Sequence, residues 1–195
     1  MFTPRLDPDE LGELVASVIA PERPIEAIVS ALLRELEARY PGRINPRPAW
    51  VFSKAGGMLG TMMVVYASLH EYIMLYGCPI ETEGFSGRHR PQLWDFVLSG
   101  EVWTHAADEL TARCHRPGEC SYLAPGQATH SRLVQGTFIL EYARGPIPAM
   151  LPFGLLELAT SSLDLPTLTG TLREYTRCVT RSLWHELRRA PLRGR

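Results

Sequence analysis

Between Ile80 and Ala143 the chain is cut every few residues by glycine, proline or serine, and the short segments between the cuts alternate apolar and polar side chains. The cuts fall at Gly84, Ser86-Gly87, Ser99-Gly100, Pro117-Gly118 and Pro125-Gly126. Segments so brief cannot support long helices, whereas period-two alternation suits strands that bury one face. The stretch therefore predicts several antiparallel strands in a small sandwich or barrel.

The flanks read differently. Leu11 to Ala20 and Ile25 to Tyr40 are amphipathic at helical spacing, and Pro41-Gly42 stops the second helix. Arg43 to Pro48 is a loop. From Met58 to Tyr76 the chain is apolar almost all round, which predicts a buried helix ended by Gly77 and Pro79. The Gly56-x-x-x-Gly60 spacing at its start would allow close packing of backbones. Near the C-terminus Leu165, Leu168, Leu172, Tyr175, Val179, Leu183 and Leu187 form a long helical stripe, flanked by Arg173, Arg177 and Arg181. The expected architecture is α+β, divided into a helical segment over 1–48, a helix and strands over 49–148, and a helix pair with a basic tail over 149–195.

Composition excludes several function classes. A 45% hydrophobic and 21% charged chain has enough apolar surface to fold, and a net charge of −1 gives no field for nucleic acid. No stretch offers eighteen uncharged apolar residues, so the expected protein is soluble or peripheral rather than membrane-spanning. Four cysteines show no CxxC pair and are read as free thiols, with a Cys114–Cys120 bridge as the alternative. There is no HExxH, no HxH pair, no phosphate loop and no serine nucleophile elbow.

Two carboxylates are left in apolar strands. In Thr137 to Tyr142, alternation puts Glu141 on a face with Thr137 and Ile139, opposite Phe138, Leu140 and Tyr142. Asp95 shares its face with Val97, opposite Trp94, Phe96 and Leu98. Either acid can face solvent, Glu141 pairing with Arg144 and Asp95 lying on an edge strand. If both face one cavity, their pKa values must separate, leaving one protonated and one ionised near neutral pH. Such a pair can deliver a proton to one atom, remove one from another, and stabilise a cation between them.

Six short segments, taken together, resemble the family of the fungal sterol delta-8 to delta-7 isomerase and the animal sigma receptor of the first type. They are Ala55-Gly56-Gly57, Ala67-Ser68-Leu69-His70-Glu71-Tyr72, Gly84-Phe85-Ser86-Gly87-Arg88, Ser99-Gly100, Pro125-Gly126-Gln127-Ala128-Thr129, and Glu141 through Pro148, in family order between Trp50 and Leu187. The resemblance implies a cupin-like antiparallel β-barrel around a ligand cavity, closed by two amphipathic C-terminal helices on a membrane surface, in a homotrimer. It assigns Asp95 and Glu141 as the cavity acids and Tyr72 as the hydroxyl bonded to the glutamate. The implied place is peripheral at a membrane: endoplasmic reticulum in a eukaryote, the cytoplasmic membrane face in a bacterium.

The expected activity is isomerisation of a sterol ring double bond by protonation and deprotonation through the acid pair, with neither metal nor redox cofactor. The alternative is non-catalytic binding of a sterol or cationic amphiphile. The apolar walls are expected from Met58, Met62, Val64, Met74, Phe96, Phe138, Ile147, Met150 and Leu151. The sequence departs from the family in lacking an N-terminal transmembrane helix, and in Phe138 and Leu123 where the receptor has tryptophan and histidine. It also has His89 in place of a tyrosine.

Overall fold

The computed structural model describes residues 4–189. Two helices come first, α1 (Pro8–Val18) and α2 (Ile25–Arg39). Asp7 caps α1, its carboxylate accepting from the amides of Asp9 and Glu10, which satisfies donors the first turn leaves open. Ten strands follow: β1 (Trp50–Ala55), β2 (Met58–Ala67), β3 (Glu71–Cys78), β4 (Thr82–Phe85), β5 (Gln92–Ser99), β6 (Val102–His105), β7 (Arg113–His115), β8 (Cys120–Leu123), β9 (His130–Leu133) and β10 (Thr137–Arg144). They form two antiparallel sheets, a large one ordered β1-β2-β3-β10-β5-β8 and a small one ordered β4-β9-β6-β7. The arrangement is a cupin-like sandwich, α+β as expected, with hydrogen bonding that stops at the sheet edges rather than running round a closed barrel.

The expected helix over Met58 to Tyr76 is instead the β2–β3 hairpin, in which Met62 pairs with Tyr76 and Val64 with Met74. Its turn is held by Ser68, whose hydroxyl accepts from the amides of Glu71 at 2.9 Å and His70 at 3.2 Å. The run is apolar all round because both faces of these strands are covered. Met63, Val65, Ile73 and Leu75 pack against the N-terminal helices, while Met62, Val64, Met74 and Tyr76 face the space between the sheets. A strand buried on both sides loses the alternation that distinguishes it from a buried helix. Gly56 and Gly57 likewise start no helix: at φ 62° and 87° they form the two-residue turn joining β1 to β2, a left-handed geometry that favours glycine.

The outer face of the large sheet carries the main core. Leu11, Val15, Leu32 and Leu36 of the two helices pack there on Leu75, Leu140 and Tyr142. Glu71, fully buried, ties the incoming chain to this face: its carboxylate accepts from the amides of Arg5 and Leu6 and from the Tyr142 hydroxyl at 2.8 Å. All four cysteines are free thiols.

After β10 a short turn (Ile147–Ala149) leads into α3 (Leu151–Glu157), a π turn (Leu158–Ser162) and α4 (Leu165–Arg189). Leu163, at φ 51°, ends the π turn. Helix α4 is fastened to β2 through Asn45, whose amide donates to the Val64 carbonyl and the Glu174 carboxylate. The expected apolar stripe is split: Tyr175 and Val179 pack inward, while Leu165, Leu172, Leu183 and Leu187 are exposed. Among the described residues no helix is long and apolar enough to cross a membrane. The basic tail, with Arg193 and Arg195, lies outside the described residues.

Replacing Glu71 with glutamine leaves its size unchanged but removes charge and acceptor capacity from a buried site. The expected loss is about 1–3 kcal/mol. Thermal denaturation should show a lowered midpoint, and limited proteolysis should release the segment before α1 faster than in the parent.

Candidate functional site

Strand register assembles the site. On the inner face of the large sheet, Val64 pairs with Met74, Met74 with Glu141, Glu141 with Asp95, and Asp95 with Ser121. These residues form one row across five strands, with the two carboxylates as direct neighbours. The row beside it runs Tyr72, Ala143, Leu93 and Leu123. Tyr72 therefore sits diagonally to Glu141, and its hydroxyl donates to Glu141 Oε1.

The row lines a cavity between the two sheets, roofed by α3 and the first half of α4. Asp95, Glu141 and Tyr72 retain some accessible surface, yet protein surrounds them on every side, because that surface is cavity wall. Burial raises the Glu141 pKa to about 7, against an opposing pull from the Tyr72 hydrogen bond. Asp95 is raised well above the ordinary carboxylate range, first by burial and then by the charge of Glu141. One oxygen of Asp95, Oδ1, is buried without a hydrogen-bond partner. Burial also raises the Tyr72 phenol, with the Glu141 charge adding to it. The favoured state near neutral pH has the proton on Asp95 and the charge on Glu141, held by a protonated Tyr72.

Most of the expected wall residues meet here. Met58, Met62, Val64, Met74, Ile147, Met150 and Leu151 all line the cavity with Tyr72. Phe96 and Phe138 do not. Both point to the outer face, Phe96 into the core under α1 and Phe138 against the same core and edge-on to Trp50 at 6.0 Å. Alternation already placed each of them opposite its neighbouring acid, and strand geometry enforces that separation. Leu155 and Leu158 of the roof also line the cavity, whereas Leu156 between them is exposed. Arg144 is likewise not the partner of Glu141; it bonds Gln92 and lies over the Trp94 ring at 5.0 Å.

The residue-level reading missed the opposite wall. Ser86, His89, Thr129 and Ser131 also line the cavity, as do Phe153, Thr171 and Tyr175 from the roof. The alternation of Thr129, Ser131 and Leu133 was the available signal for a strand facing the cavity. Among the described residues no group of three or more His, Cys, Asp or Glu is placed to hold a metal ion.

A family model described as "ERG2 and Sigma1 receptor like protein" matches residues 3–187. The chain belongs to this family. It is 37% identical over 147 residues to the C-8 sterol isomerase ERG2 of Gibberella zeae, covering 75% of this chain and 63% of that relative. Identity to the C-8 sterol isomerase of Pyricularia oryzae is 38% over 168 residues, covering 85% and 76% of the two chains. The Sigma non-opioid intracellular receptor 1 of Gallus gallus is 36% identical over 154 residues, covering 78% of this chain and 69% of the receptor. This chain thus spans less than two thirds of the Gibberella protein's length. Among solved structures, KdgF from Halomonas sp. overlays with a TM-score of 0.41 at 14% identity, over 50% of this chain and 86% of that one.

The raised carboxylates make stability depend on pH. A carboxyl whose folded pKa exceeds its unfolded value holds more protons when folded, so its contribution is complete below the unfolded pKa and fades as pH rises through the folded one. For Glu141 that window runs from the ordinary carboxylate range up to about 7. Glu141→Gln should therefore stabilise the ligand-free protein at pH 8 by about 2 kcal/mol, and make little difference at pH 4. Melting curves at the two pH values read the contrast.

Proposed function

We propose that this protein is a sterol delta-8 to delta-7 double-bond isomerase. The observation that carries the reading is the cross-strand Asp95–Glu141 pair, two acids of unequal proton affinity in an apolar cavity. Asp95 donates its proton to one carbon of the ring alkene, leaving a tertiary cation on the other. Glu141, fixed by Tyr72, faces that cation and accepts a proton from the carbon on its far side. One proton enters the ring system and one leaves, so substrate and product are isomers. The proton finishes on Glu141, beside the Asp95 that lost one, and the adjacency allows its return. The names of the fungal relatives support the sterol substrate.

Incubation of the purified protein with a delta-8 sterol should yield the delta-7 isomer by gas chromatography. Asp95→Asn should lower turnover by about 100-fold or more, the scale of a lost general acid. The rate should rise with pH through about 7 as Glu141 ionises, then fall once Asp95 loses its proton. An absence of delta-7 product from the parent protein across a panel of sterols would rule the enzyme out.

A second reading, favoured by the equally similar animal receptors, is a binding protein for cationic amphiphiles. An ionised Glu141 held by Tyr72 suits an ammonium group as well as a carbocation, through a charge-assisted hydrogen bond. Tight binding of an apolar amine that disappears in Glu141→Gln, without turnover of any sterol, selects this reading.

Membrane attachment belongs to the same proposal. Leu156, Leu163, Leu165, Leu183, Trp184 and Leu187 are exposed along α3, the π turn and α4, with Arg177 and Arg188 nearby, as suits a surface lying at the lipid headgroups. Co-sedimentation with anionic vesicles should follow, and should weaken in a Trp184→Glu, Leu187→Glu double variant. The exposed Trp50, Phe52 and Leu59 of the β1–β2 hairpin offer a surface for the expected homotrimer, which sedimentation velocity measures.

A further inference from the structure

The isomerase chemistry uses the acid pair and Tyr72 and leaves the other polar side chains of the cavity wall without a role. Around the two acids, the large-sheet wall is built from Met58, Met62, Val64, Met74, Leu93 and Ile139, and α3 adds Leu151, Phe153, Leu155 and the neighbouring Leu158. Against this apolar lining stands a compact polar patch of Ser86, His89, Thr129 and Ser131, carried by the small sheet and the loops beside it. His89 and Ser131 are each only 9% exposed, so water does not freely solvate the patch.

The internal bonds of the patch are specific, and they leave a deficit. The Ser86 amide donates to the Thr129 carbonyl at 2.9 Å, and the Thr129 amide donates to Ser86 Oγ at 2.9 Å. Ser86 Oγ–H is spent on the Gly87 carbonyl. His89 Nε2 bonds the Ser86 carbonyl at 2.9 Å, so Nε2 carries the hydrogen. Burial lowers the His89 pKa and keeps the ring neutral, which makes Nδ1 a bare acceptor. Thr129 Oγ1 and Ser131 Oγ bond each other at 3.2 Å. Two hydroxyls carry two O–H groups, and their mutual bond spends one. The second O–H has no protein partner among the described residues, so the pair has a free donor and free lone pairs in a mostly apolar chamber.

We propose that Thr129 and Ser131, backed by Ser86 and His89, form a hydroxyl-binding subsite that anchors the 3-hydroxyl of a sterol and so aims its ring double bond at the acid pair. The proposal rests on the isomerase reading for the acid pair and adds the ligand's other polar contact. Geometry suits it: the acid pair and the hydroxyl pair line one cavity between facing sheets, and facing sheets stand about 10 Å apart backbone to backbone, part of it filled by side chains, which leaves room for a sterol whose double bond lies two rings from its 3-hydroxyl. A hydroxyl can both donate and accept, matching a pair that offers both. A bare methylene at that carbon would leave the spare O–H buried and unpaired, and an ether or ester, which accepts but cannot donate, would leave the lone pairs of the two hydroxyls unmatched, so the ligand class is a free sterol alcohol. The arrangement also makes His89 and Ser86 positioning residues: they hold the Thr129 segment and touch no reacting atom.

The test compares a delta-8 sterol with its 3-deoxy analogue, by binding and by turnover, in the parent protein and in a Thr129→Val, Ser131→Ala double variant. The parent should prefer the alcohol about 10-fold or more in Kd and in kcat/KM, the scale of one buried hydrogen bond. The double variant should bind both ligands with similar affinity, that of the parent for the deoxy compound. Because the deoxy ligand does not use the subsite, unchanged affinity for it shows that the variant is folded. Equal affinity of the parent for both ligands overturns the subsite, whatever the turnover. So does a preference for the alcohol that survives in the double variant. Discrimination in binding without turnover of either compound upholds the subsite while removing the isomerase reading.

Discussion

Two carboxylates on adjacent strands of one sheet, enclosed by protein in the wall of a cavity, are the constraint around which this molecule is arranged. Asp95 and Glu141 are register partners, so the backbone hydrogen bonds of the sheet hold them together and neither can withdraw. Desolvation raises both pKa values, the charge of Glu141 adds to the rise at Asp95, and Tyr72 relieves only Glu141. The sheet thus imposes a difference in proton affinity on two chemically similar groups. That difference is what acid–base chemistry at neutral pH requires.

The rest of the fold encloses that pair and holds it in place. The outer face of the large sheet is sealed by α1 and α2, with Glu71 and Tyr142 bonding the entering chain directly behind the strand that carries Glu141. The inner face is closed by the small sheet and roofed by α3 and α4. A sheet covered on both sides has no solvent face on which a carboxylate could rest, so the acids are committed to the cavity. The roof is fastened by few polar contacts, among them Lys54 to Ser161 at 3.0 Å and the Gly57 amide to Glu157 at 3.3 Å.

Double coverage also explains where sequence reading failed. Amphipathic periodicity located α1 and α2 correctly because each has one wet face. It misread β2 and β3 as a helix because neither face of that hairpin is wet. Phe96 and Phe138 were assigned to the cavity by apolarity alone, although their own alternation opposed it; they lie in the core behind the acids. The small-sheet wall escaped notice because serine and threonine in short strands are ordinary surface residues until a second sheet covers them.

The sequence by itself determined the class of the fold, the helices at both ends, and the presence of two acids in apolar strands, each of which could still have faced solvent. Those are local properties, carried by composition and by periods of two and 3.6 residues. The tertiary structure decided that the acids face each other, that Tyr72 reaches Glu141, and that Thr129 and Ser131 line the same chamber. Pairing register and the facing of sheets join residues as far apart as Tyr72 and Glu141. No local period contains that information, because it arises only when both faces of the large sheet are covered.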